Sequence, residues 1–178
     1  MDQALWIARS SVLQCRLIQP IPYFGRAVFN REAGRDLTFY LETVANPMEQ
    51  GRAVLRSKAP RWNPELALED LGLVPVAEGS IPVTLDKALS TRLLAELFKG
   101  KSPSFTRRPW YVDAGSDEQS ASEELVEIAL SSVTFREAYS EYRQCLGELM
   151  PVGFDQLERS LVNFASDKWE INAESMRW

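Results

Sequence analysis

The chain has two cysteines, Cys15 and Cys145, and the residues around each place it on a surface that must be covered. Around the first, Leu13, Cys15 and Leu17 alternate with polar neighbours, so the three share the inner face of a strand. Around the second, Ala138, Tyr142, Cys145 and Leu149 recur at helical spacing and put Cys145 on the apolar stripe of a helix. Two core-facing cysteines read either as one bridge from the first strand to the last helix or as two buried free thiols. Spacing leaves both open, because unpaired cysteine is itself a core residue. A bridge would place the chain outside the reducing cytosol.

Composition narrows the function classes. With 178 residues, 45% of them apolar, the chain can bury one core, so it reads as one domain or one domain plus a fragment. It has no histidine, which removes Ser-His and Cys-His nucleophiles and histidine metal sites; two cysteines alone cannot complete a zinc site. Carboxylate-only catalysis stays open in principle, with Glu42 and Glu127 as candidates on outward strand positions. No catalytic residues, metal site or cofactor loop are expected. A net charge of −5 argues against nucleic acid as partner, and Arg107-Arg108 beside Trp110-Tyr111 reads as strand residues with one wet face. No apolar run is long enough to span a membrane, and Met1 to Trp6 lack the pattern of a signal peptide.

Along the chain the pattern is β-rich. Strands are expected at Leu13–Ile18, Tyr23–Arg31, Asp36–Val44 and Gly51–Lys58, joined by short turns into an antiparallel meander. Pro20-Ile21-Pro22 should not be central strand, since two amide donors are missing, and Gly25 marks a bulge or close approach. In Asp36–Val44, Leu37, Phe39 and Leu41 face one way and Thr38, Tyr40 and Glu42 the other. Leu66–Val83, with Gly72, Pro75, Gly79 and Pro82, reads as a connector. A helix carries Leu85, Ala88, Leu89, Leu93, Leu94, Leu97 and Phe98 and stops at Gly100. Strands follow at Phe105–Val112 and Glu124–Val133, separated by an acidic loop, and Thr134 to Glu137 forms a capping box for a last helix ending before Pro151. The sum is an α+β domain: a β-rich antiparallel sheet, twisted or barrel-like, with two packed helices.

Leu13 to Phe29, the Pro60-Arg61-Trp62-Asn63-Pro64 turn and Val126 to Phe135, followed in matching order by the helix Tyr139 to Leu149, resemble the N-terminal domain of the MotY family of bacterial flagellar motor proteins. The resemblance implies that Cys15 and Cys145 are paired. It also implies a non-enzymatic role in the periplasm, within the T ring, docking to basal-body ring proteins and a MotX-like partner and helping to place stator units. Residues 1–155 are assigned to that domain. Residues 156–178 resemble the start of an OmpA-like domain, through Ser160 to Ser166 and Glu170 to Trp178; the diaminopimelate-clasping motif of such domains has no counterpart in this sequence, so no peptidoglycan binding is expected of it.

A docking domain should show apolar and aromatic residues on its loops. Tyr23, Phe24, Trp62 and Trp110 are the candidates, with core packing as the alternative for each. The rival from another class is a periplasmic small-ligand barrel lined by Leu37, Phe39, Leu41, Phe105 and Val126.

Overall fold

A computed structural model describes residues 5–48, 50–59, 68–107 and 126–149. Among these the chain forms β1 (Ile7–Ser10), β2 (Gln14–Ile21), β3 (Gly25–Glu32), β4 (Thr38–Thr43), β5 (Gly51–Lys58), β6 (Glu69–Val76), β7 (Val83–Leu85), α1 (Lys87–Phe98), β8 (Ser102–Arg107), β9 (Val126–Ala129) and α2 (Phe135–Glu148). All pairing is antiparallel, in one sheet of order β1-β2-β3-β4-β7 and another of order β6-β5-β8-β9. The fold is therefore α+β as expected, its antiparallel strands arranged in two sheets and not in a closed barrel. The meander runs through β1 to β4; β5 leaves it and becomes a central strand of the second sheet.

Alternation decides the core. Cys15, Leu17 and Gln19 of β2, Ala27 and Phe29 of β3, and Phe39, Leu41 and Thr43 of β4 are buried on one face, opposite Ala53 and Leu55 of β5 and Phe105 of β8. Phe39 joins the sheets: its ring lies 4.8 Å from Phe29 and 5.8 Å, stacked, from Phe105. Leu13, expected on this face, lies before β2 and is exposed.

Other departures have local causes. Pro20 is in β2 after all, paired with Arg26, but beyond Ile18, the last β2 residue that β1 reaches; a missing amide is tolerated there. The expected connector Leu66–Val83 holds β6 and β7. β6 is an edge strand, which tolerates Pro75, and Gly72 takes φ 116° beside the register shift at Leu55/Arg56. Leu85 closes β7, Asp86 caps α1 through the Leu89 amide at 2.9 Å, and Ala88 is exposed.

Gly100 stops α1 as expected. At φ 80° it completes a Schellman motif, its own amide reaching Leu97 O and the Lys101 amide reaching Glu96 O.

α2 starts after Thr134, yet the capping box does not form. Thr134 has φ 58° and makes no side-chain cap bond; its hydroxyl accepts instead from the Trp6 amide at 3.3 Å. Trp6 is buried against Phe29 and Phe135, and its indole donates to Ser131 O. Gln19 brackets the same residue, accepting from the Ser131 amide at 3.2 Å and donating to its carbonyl at 3.4 Å. A disulfide joins Cys15 to Cys145 with Cα atoms 5.9 Å apart, fixing α2 across β2.

Candidate docking surface

Three segments converge at the end of the first sheet away from the disulfide, and Thr43 holds them. Its hydroxyl lies 2.5 Å from Phe24 O and 2.9 Å from Ala45 O, and its amide donates to Ser80 O at 2.8 Å. The β2–β3 turn, the end of β4 and the approach to β7 therefore share one rim.

Tyr23 stands at the tip of that turn with φ 62°, in the left-handed region where a bulky side chain is a genuine outlier, and its side chain is fully exposed. Gly25 makes the turn close-packed, since a Cβ there would collide with the Glu42 carbonyl. Phe24, next in sequence, turns the other way and is buried, so the turn offers one aromatic outward and one inward. Val44 is fully exposed and Ile81 is 46% exposed on the neighbouring segments. Neither was singled out from sequence. Val44 was within reach, because it shares the outward parity of Thr38, Tyr40 and Glu42 and stands just before the Asn46-Pro47 break. Trp62 and Trp110 lie outside the described residues, as do Arg108 and Tyr111.

The polar groups beside this rim are paired. Arg26 grips Glu42 with two hydrogen bonds, 2.9 Å and 2.7 Å, and those bonds hold the Glu42 carboxyl below its usual range. Glu127 is held down likewise, by Lys58, on the outer face of the second sheet. The two carboxylates suggested for hydrolysis thus stand ionised in separate ion pairs on different sheets. Paired carboxylate chemistry needs one of them protonated and both at one site. Among the described residues no group of three or more His, Cys, Asp or Glu side chains could hold a metal.

The residues proposed to line a ligand barrel do not surround a space. Phe39, Leu41 and Phe105 are fully buried in the common core, Val126 packs against its edge, and Leu37 reaches a surface groove. Among the described residues, the rings of Phe29, Phe39 and Phe105 fill the space between the two sheets.

The described residues therefore offer a ring-filled body with an apolar rim. The chain is similar to the sodium-type flagellar protein MotY of Vibrio parahaemolyticus serotype O3:K6 (strain RIMD 2210633), with 28% identity over 169 residues. That alignment takes in 92% of this chain and 53% of the relative, so the chain spans about half the length of the protein it matches. The family model for the MotY N-terminal domain matches residues 1–151, and the chain belongs to that family.

Proposed function

We propose that this domain is a structural, docking component of the bacterial flagellar motor, working in the periplasm as part of the T ring. The observation that carries the reading is the match of residues 1–151 to the MotY N-terminal domain. Three features of the molecule support it. The Cys15–Cys145 disulfide suits an oxidising compartment. No helix among the described residues is long and apolar enough to cross a membrane. The Tyr23, Val44 and Ile81 rim leaves apolar surface uncovered at one end of a tightly packed sheet, as a docking site requires.

In this reading the Tyr23 rim meets a basal-body ring protein or the MotX-like partner, and stator units are positioned indirectly through that ring. Tyrosine suits such an anchor, because it brings a large contact area and loses little side-chain freedom on binding.

The test is a tagged copy, exported to the periplasm of flagellated cells with and without the MotX-like partner. Foci at flagellar bases are expected, and Tyr23→Ser combined with Val44→Ser should disperse them without changing thermal unfolding. Diffuse periplasmic signal from the unaltered chain in both strains would overturn the docking reading.

A further inference from the structure

The opposite end of the first sheet carries a second surface feature. β2–β3 pairing sets Arg31 directly across from Cys15, so both side chains leave the sheet on the face that α2 covers. The inner face of β3 thus runs Ala27, Phe29, Arg31: two buried apolar residues and then a cation. Arg31 opens into a groove of ≈ 390 Å³ between the β3–β4 turn and the two helices, whose apolar walls are Leu37, Leu94, Leu146 and Leu149.

Two polar groups there lack full partners among the described residues. The Tyr142 hydroxyl is buried and has no hydrogen-bond partner, although Tyr142 lines the groove. Burial and the neighbouring Tyr139 push that hydroxyl well above its usual range, and Arg31 stands close enough to oppose them. The charged partner of Arg31 is Asp36 at 3.6 Å, outside hydrogen-bond distance, while the same Asp36 oxygen is held by Lys87 at 2.9 Å. A guanidinium and a hydroxyl beside leucines call for an occupant with an apolar side chain and a nearby acceptor oxygen, best a carboxylate. The apolar surface also continues past the groove: the Ala33 amide bonds Leu13 O at 2.9 Å, bringing the exposed Val12 and Leu13 alongside. That continuity suits a chain rather than a small molecule.

We propose that this groove receives an extended segment of a partner protein, with one large apolar side chain against Leu37, Leu94 and Leu146 and an adjacent carboxylate on Arg31. The proposal rests on the docking reading above and gives it a second contact. The strands separate the two contacts by roughly 20 Å, at about 3.3 Å per residue.

The test titrates the full chain with three capped hexapeptides, each holding a central Leu-Phe pair followed by Glu, Gln or Lys, and reads methyl NMR shifts. The Glu peptide should move the Leu37, Leu94 and Leu146 methyls saturably and bind roughly fivefold tighter than the Gln peptide, as a half-exposed ion pair allows. Arg31→Gln should erase that preference and keep residual binding. Tyr142→Phe should weaken the Glu and Gln peptides alike, and Leu146→Glu should abolish all three with the disulfide still formed. Absence of saturable shifts at these methyls, or equal binding of the Glu and Lys peptides, would overturn the groove. The cell assay separates this result from the docking reading. If the peptides fail while the Tyr23 and Val44 changes still disperse foci, the groove falls and docking stands. Peptide binding with no foci from the unaltered chain leaves the groove standing and removes the motor placement.

Discussion

Helix α2 is fastened by a covalent bond to the first sheet and by rings, whereas α1 adds buried charge to the apolar packing of Leu93 and Leu97. On the α2 side, Cys145 is bonded to Cys15, and Phe135 packs edge-on against Trp6 and Phe98 at 5.3 Å and 5.1 Å. On the α1 side, Glu96 is nearly inaccessible and meets Lys101, also buried, at 2.8 Å, with Lys99 on its other oxygen. Lys101 and Lys99 also reach Glu69 of β6, at 3.3 Å and 3.8 Å. The first fastening ignores pH and yields to reductant. The second ignores reductant and yields to acid.

Reduction should therefore produce the larger effect. The disulfide spans a sequence separation of 130, for which the chain-entropy model gives about 4–5 kcal/mol. Urea unfolding with and without reductant, or of Cys15→Ser combined with Cys145→Ser, should show that loss at every pH. A midpoint that barely moves would mean that ring packing alone holds α2, and the contrast between the helices would collapse.

Breaking the buried ion pair comes next. Lys101→Met should destabilise by about 3 kcal/mol, because it strands much of a buried carboxylate's charge. The pH dependence follows from Glu96. Burial alone would raise its pKa, but Lys101 and Lys99, one against each carboxylate oxygen, bring it down to about 2. A folded-state pKa below the unfolded value of about 4.3 means that the contribution is complete above pH ~4.3 and drains away as pH falls toward 2. Unfolding followed across that window should show a steep loss in the unaltered chain and a shallower one in Lys101→Met. Parallel curves would place the acid sensitivity elsewhere, in surface pairs such as Arg26–Glu42 or Lys58–Glu127.

What could be read from the sequence follows the same physical lines. β4 was legible because one face is buried and the other wet, and its alternation has no exceptions from Thr38 to Thr43. β1 and β6 were not. β1 is a mostly exposed edge whose inward side, under α2, carries only the small Ala8 and Ser10, and in β6 Gly72 and Pro75 signal turns while edge position tolerates them. The Thr134 capping box misled because its hydroxyl is taken by Trp6, 128 residues away, a contact that no local pattern announces. At the rim, Tyr23 and Phe24 were candidates alike, and only the turn before β3 decides that Tyr23 faces out and Phe24 in. Arg31 required register: its place beside Cys15 exists only once β2 and β3 are aligned.

The smallest expected effect concerns the rim, and it separates stability from docking. Tyr23 holds a left-handed backbone, which costs an ordinary residue roughly 1–2 kcal/mol, and its exposed ring recovers little of that from the domain itself. Glycine adopts the same conformation freely but adds freedom to the unfolded chain, which offsets part of the gain. Tyr23→Gly should therefore raise stability by about 0.5 kcal/mol, visible as a small upward shift in the urea midpoint with the slope unchanged. The same change should weaken recruitment to basal bodies, since it removes the one fully exposed aromatic ring among the described residues. A residue whose removal stabilises the fold and impairs association is maintained for its partner. If Tyr23→Gly instead destabilised the domain, the ring would be packing against residues of this chain, and the docking role would pass to Val44 and Ile81.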